Sequence, residues 1–230
     1  MAVIDVRTIR ERVYDALKEQ IATGAILPGQ AVSLRSLAAN FGVSQMPVRE
    51  ALWQLESEKI ICIESNRRMY VSELSPVEME ECLRIRIMLE SHAAERAATR
   101  RPDSAVPVVE RIHQALTDAL ARPQEYMASN KEFHFAIYSH ADSPILLHHI
   151  EQLWMRVAPY FIMHATNNPH LIDTKNTHAE MVRCFRERDP AGLVSALVSD
   201  LKSTAEFIIP QLRKTDQPES SPPHPTVPTG

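Results

Sequence analysis

Residues 42–60 read "GVSQMPVREALWQLESEKI". Gly42 can adopt the left-handed backbone that stops a helix. Ser44 can accept from the free N–H groups opening the next one, and Pro47 falls in a first turn where its missing N–H costs nothing. Val48, Ala51, Leu52 and Leu55 then recur at three- and four-residue intervals, which predicts one buried helical stripe. Gln45 and Arg49, four residues apart, share a face that avoids this stripe. The helix therefore begins abruptly and carries hydrogen-bonding side chains on its free side.

Working outward, Val6, Ile9, Val13, Leu17 and Ile21 mark an amphipathic helix that Gly24 and "LPGQ" (27–30) terminate. Ser33 can cap a short second helix, "LRSLAANF", with Leu34, Leu37, Ala38 and Phe41 on one side. After the quoted stretch, "IICIES" and "MYVSEL" read as two strands joined by the polar turn Ser65 to Arg68. Helix, helix, tight turn, helix, hairpin is the order of a winged helix-turn-helix. In that arrangement the helix opening at Ser44 enters the major groove, its first turn near phosphate. Arg49 can grip guanine and Gln45 adenine, each through two hydrogen bonds. Arg35, at the start of the preceding helix, is placed for a phosphate or a base, and Arg67 and Arg68 at the wing tip can reach the backbone or the minor groove. The alternative for single residues is that Arg49 pairs with Glu50 or Glu56 and that the wing arginines are ordinary solvated charges.

The chain has 230 residues, 44% hydrophobic and 23% charged, with only five Gly, which suits two helix-rich domains each burying its own core. Its net charge is −4, and residues 1–74 balance nine Lys and Arg against nine Asp and Glu, so DNA contact must come from local placement of cations. Cys62, Cys82 and Cys184 are odd in number and set among apolar residues, which predicts free buried thiols. The start "MAVIDVRTIR" lacks the apolar core of a signal peptide, and no apolar run is long enough to span a bilayer, so a cytoplasmic protein is expected.

From Ser75 the pattern is helical only. Ser75 and Pro76 open a helix reaching about Thr99, and further helices are expected at about 103–121, 124–140, 144–166, 173–188 and 190–211, separated by Pro-containing breaks. Six such pieces predict an all-α antiparallel bundle. The fold class expected is thus mostly α: an N-terminal winged helix-turn-helix with a small β-hairpin wing over residues 1–74, then a helical domain over 75–212. The tail from 213 to 230 is Pro-rich and expected to be disordered.

Three of the bundle helices direct a polar group inward. Asn130 and His134 lie one turn apart beside Met127, Ile137 and Tyr138; His178 shares a face with Met181, Val182 and Phe185; Asp200 shares one with Leu193, Leu197 and Thr204. An unpartnered buried polar group costs about 2–7 kcal/mol, so a shared ion or ligand is expected, with hydrogen-bonded core histidines as the alternative. Two imidazoles and a carboxylate suit a divalent metal such as Zn, Ni, Mn or Fe.

"LRSLAANFGVSQMPVREALWQLESEKII" resembles the winged-helix domain of the GntR family of bacterial transcription regulators, most specifically at "PVREALWQLE". The family's operator contacts fall on Arg35, the residues following Ser44, Arg49 and the wing tip. Gln45 stands where the family has Arg, Met46 where it has Thr or Ser, and Arg68 where Gly is frequent. Residues 78–207 are similar to the helical effector-binding domain of the FadR branch, called FCD, through "LRIRIMLESHAAERAA", "NKEFHFAIYSHADSPIL" and "RDPAGLVSALVSDL". That resemblance implies a metal set on Asn130, His134, His178 and Asp200, with Asn for the first Asp and Asp for the last His. It also implies an effector-anchoring role for Arg86, against which stands a salt bridge to Glu90 four residues on.

The function implied is a ligand-responsive transcription regulator and not an enzyme: a homodimer on a near-palindromic double-stranded operator, acting as a repressor and modulated by a small carboxylate metabolite. The alternatives are a constitutive DNA binder whose bundle serves only dimerisation and, without a nucleophile motif to support it, a metal-dependent hydrolase.

Overall fold

The structure is a computed structural model describing residues 7–66, 68–167 and 171–215, with the side chains of 162–167, 171–175 and 215 outside the description. Val6, Arg67 and the segment 216–230 therefore lie outside the described residues.

Helix α1 (Ile9–Ala22) starts at Thr8, whose hydroxyl accepts from the Glu11 N–H at 3.2 Å while the Glu11 carboxylate accepts from the Thr8 N–H at 2.7 Å. That reciprocal cap satisfies two otherwise orphaned donors. Strand β1 (Ala31–Val32) precedes α2 (Leu34–Phe41), which Ser33 caps. Gly42 ends α2 at φ +65°, so the tight turn needs a residue without a Cβ penalty. Helix α3 (Gln45–Ser57) follows. Ser44 occupies its cap position but makes no side-chain capping bond, contrary to the expectation from sequence, so its exposed hydroxyl is not held by the helix. Strands β2 (Ile61–Ile63) and β3 (Met69–Val71) complete the wing.

The sheet has three antiparallel strands in the order β1-β3-β2, with Tyr70 opposite both Ala31 and Cys62. The expected two-strand hairpin is thus corrected by one strand. Two residues leave no alternation to read, and β1 exists because β3 offers it an edge.

Helix α4 (Pro76–Arg100) opens with a second reciprocal cap, Ser75 with Glu78. A 3-10 turn at Asp103–Ala105 leads into α5 (Val106–Asp118), followed by α6 (Pro123–Tyr138), α7 (Pro144–Asn167), α8 (Leu171–Glu187) and α9 (Pro190–Thr215). Helix α9 carries Pro210 and runs to Thr215, past the expected end at 211, so 213–215 are helical. Helix α4 packs on α9, α8 on α9, and α5 on α6. At the end of α4, buried Arg101 donates to the carbonyls of Phe185 and Arg186 in the last turn of α8.

Two apolar clusters form. One joins Val13, Leu17, Leu37, Val48, Leu52 and Leu55 in the winged helix, and the other fills the bundle. Helix α7 touches both. Its Met155 belongs to the winged-helix cluster, the Tyr160 hydroxyl accepts from the Leu74 N–H at 2.7 Å, and Glu151 lies 3.6 Å from Lys18. No helix among the described residues is long and apolar enough to cross a membrane.

Candidate nucleic-acid interface and candidate metal centre

The inward stripe of α3 is fully buried: Val48, Ala51, Leu52 and Leu55 are each 1% exposed or less. Its other side is open. Ser44, Gln45 and Arg49 are exposed, as is Arg35 on α2 and Arg68 at the wing. Among the described residues neither Arg35 nor Arg49 forms an ion pair, so the alternative pairing of Arg49 with Glu50 or Glu56 is not realised. Arg68 sits 5.6 Å from the centroid of Tyr70, leaving its charge at the surface.

Sequence reasoning missed Trp53. It is one turn beyond Arg49, 56% exposed, and with Arg49, Leu34, Ile63 and Met69 lines an open cleft of about 460 Å³ between α3 and the wing. The same four-residue spacing that linked Gln45 to Arg49 extends to Trp53, so the signal was present.

In the bundle the fold brings three predicted residues together. His134 of α6, His178 of α8 and Asp200 of α9 are all buried, and one ligand-capable atom from each lies within 4.8 Å of the others. The Asp200 carboxylate is 3.5 Å from His134 Nε2 and 3.2 Å from His178 Nε2, and it accepts from the Thr177 hydroxyl at 3.2 Å. Burial pushes its pKa up, but the two facing imidazoles outweigh burial and hold it well below the usual carboxylate range. Among the described residues Asn130 Oδ1 is buried without a hydrogen-bond partner, and it lines the same cavity as His134 and Asp200.

A second arrangement was only half visible in the sequence. Arg86, 4% exposed, donates from Nε to Glu90 at 2.6 Å, so the salt-bridge alternative is realised, and Arg86 nevertheless lines the cavity. The Tyr138 hydroxyl donates to Glu90 at 2.7 Å and stands 3.1 Å from His134 Nδ1. A phenol has one O–H to donate, and here it is directed to Glu90. The Tyr138 oxygen is then an acceptor for His134 Nδ1, and His134 Nε2 faces the Asp200 carboxylate at 3.5 Å. A cation or a proton shared between His134 Nε2 and the Asp200 carboxylate satisfies both groups. Glu90 and Tyr138 each follow a predicted residue by four positions, yet only tertiary packing joins the two pairs.

Comparison with known proteins settles the family. The family described as "Bacterial regulatory proteins, gntR family" matches residues 9–71, and the FCD domain matches residues 81–203. This chain is a GntR-family regulator with an FCD domain. It is similar to the HTH-type transcriptional regulator McbR of Escherichia coli (strain K12), 26% identical over 207 residues that cover 88% of this chain and 94% of the relative. The HTH-type transcriptional repressor RspR of the same organism is 25% identical over 205 residues, covering 87% and 89%. The solved structure of E. coli McbR/YncC superposes with a TM-score of 0.83 over 90% of this chain and 99% of that one. The regulator thus binds DNA through its winged helix and carries an FCD effector-binding domain. Its relatives are transcription regulators, and the hydrolase alternative falls with them.

Proposed function

We propose that this regulator, a member of the FadR branch, represses transcription as a homodimer on a near-palindromic operator and is modulated by a small carboxylate. In this reading residues 1–74 are the DNA-binding unit, 75–212 the effector and dimerisation unit, and 213–230 a tail. The observation that carries it is the exposed Arg49, without an ion pair among the described residues, on a helix whose opposite stripe is sealed in the core. Gln45 and Arg49 read bases; Arg35, Ser44, Arg67 and Arg68 hold the backbone. The repressor sign draws on the names of two similar proteins, RspR and the gluconate operon transcriptional repressor of Bacillus licheniformis, the latter 36% identical over 101 residues covering 44% of this chain and 41% of the relative. The test is a footprint on the gene's own promoter region. Protection relieved by a metabolite supports the full reading, and no protection of any promoter fragment overturns it.

Asn130, His134, His178 and Asp200 suit a divalent ion such as Zn, Ni, Mn or Fe. Liganding atoms about 2.0–2.1 Å from a tetrahedral ion stand about 3.4 Å apart. Asp200 Oδ1 lies 3.2 Å from His178 Nε2 and its Oδ2 3.5 Å from His134 Nε2, spacings near that value that a shared cation could bridge. Bound there, the ion supplies positive charge to an incoming carboxylate. Tyr138 orients His134, and Glu90 orients Tyr138. Arg86 helps to anchor the effector.

One observation favours a second reading, a bundle that only dimerises. The cavity at the centre is about 20 Å³, room for about one water. Protection that no metabolite relieves would select it.

The dimer draws on α4, whose Val77 and Met88 are each 71% exposed and whose Ile85, 38% exposed, lies on the same side. The wild-type chain should elute at twice its 26.0 kDa mass, and Met88→Glu should shift it toward the monomer in light scattering. A Met88→Glu dimer of unchanged stability would exclude this face.

A further inference from the structure

Helix α3 carries a large side chain that neither its buried stripe nor its hydrogen-bonding residues account for. Trp53 is 56% exposed, and among the described residues its indole makes no hydrogen bond and no ring contact. Leaving an indole in water forgoes one of the largest gains a side chain can make on burial, so its exposure needs a cause. Four residues advance a helix by about 6 Å along one face, which sets Gln45, Arg49 and Trp53 in a row. Trp53 ends that row inside the open cleft between α3 and the wing, where Ile63 and Met69 supply the wing side of the lining.

We infer that Trp53 is a contact to the DNA backbone: one sugar-phosphate strand lies in this cleft, a deoxyribose packed on the face of the indole and the adjoining phosphate accepting from Nε1–H. This rests on the reading given above, in which α3 enters the major groove. Three observations choose the occupant. First, the cleft is continuous with the DNA-reading face, because Arg49 belongs to both. Neighbouring grooves of a duplex are separated by one backbone strand, so with α3 in the major groove and the wing at the minor groove, the space between them faces that strand. Second, the lining is apolar except for Arg49, and no carboxylate lines it among the described residues. An apolar wall beside a cation suits the carbon face of a sugar next to an anionic phosphate. Third, the cleft is open. A pocket for a small molecule encloses most of its ligand, whereas a wall as exposed as Trp53 offers one face to the edge of a polymer. Such a contact carries no sequence information; it fixes the depth of α3 in the groove and thereby positions Arg49.

The test uses the full-length protein with two probes, the promoter fragment protected in the footprint and a random-sequence duplex of the same length. The chain has two tryptophans and Trp154 is 1% exposed, so acrylamide, a neutral quencher, reports chiefly on Trp53. Most of this quenching should be lost when either duplex is bound. Trp53→Ala should weaken binding to both duplexes by about tenfold and leave the salt dependence of affinity unchanged, because an uncharged contact releases no counterions. Trp53→Phe, which keeps a ring face and loses the donor, should fall between the two. A Trp53 that stays equally quenchable in the complex overturns the inference on the unaltered protein, even if a variant fails to fold. Wild-type affinity in Trp53→Ala, a loss confined to the promoter fragment, or a flattened salt dependence overturns it as well. Arg49→Ala on the same probes separates the failures. If Arg49→Ala weakens binding to the promoter fragment and Trp53→Ala does not, only the backbone contact is lost; if neither has an effect, α3 is not in the groove.

Discussion

Replacing Arg49 by Ala is expected to abolish specific operator binding without changing the melting temperature of the protein. The side chain is exposed and unpaired among the described residues, so its removal leaves no cavity and no orphaned partner. Its position one turn into α3 puts a two-pronged donor where a recognition helix meets base edges. A bidentate contact to guanine is worth about 1–3 kcal/mol of discrimination, and a symmetric dimer makes it twice, so a loss of about two to three orders of magnitude is expected in a mobility-shift titration. Arg35→Ala should differ in kind, lowering affinity for all sequences together and reducing the salt dependence, as a phosphate contact does. An Arg49→Ala protein that footprints as tightly as the wild type would mean that α3 is not the reading helix. Because Gln45 stands where relatives of the resembling family have Arg, Gln45→Arg should move base preference at one operator position and leave the rest of the footprint in place.

The second large effect concerns the buried cluster. Protein purified without chelator should carry about one divalent ion per chain by elemental analysis, and His178→Ala should remove it. Loading at a hundredfold excess over the dissociation constant adds about 2.7 kcal/mol of stability. For a chain of this length each kcal/mol moves the melting midpoint by about 2–4 °C, so chelation should lower it by about 5–10 °C in the wild type and by almost nothing in His178→Ala. His134→Ala should likewise keep the DNA affinity of the free protein while blunting its response to effector, since His134 is far in sequence and structure from α3 but central to the cavity. Absence of stoichiometric metal together with no thermal shift from any divalent ion would end the metal reading.

Much of the winged helix was legible because its signals are local. Ser33, Gly42 and the stripe from Val48 to Leu55 act within a few residues, and each marks a start, a stop or a buried face. The same holds for Ser75 and Pro76 at the head of α4. Strand β1 was not legible, since two residues have no period and depend on the edge that β3 presents. The silent hydroxyl of Ser44 was not legible either. Cap position follows from sequence, whereas the rotamer that makes or omits the bond depends on local packing. In the bundle, periodicity pointed His134, His178 and Asp200 inward without saying that they meet, because three helices separated by dozens of residues can be rotated and stacked in several ways.

By itself the sequence determined the order of the helices and of the wing hairpin, the free face of α3 and the family, all of which rest on residue spacing within single helices and turns. Only the tertiary structure decided that Arg86 is engaged by Glu90 and that Tyr138 donates to Glu90 while standing against His134 Nδ1. It alone placed α7 against both the cavity and the winged helix. The physical reason is the same in each case: a hydrogen bond or a shared wall between distant helices is a property of their relative rotation and depth, and packing sets these after every local choice has been made.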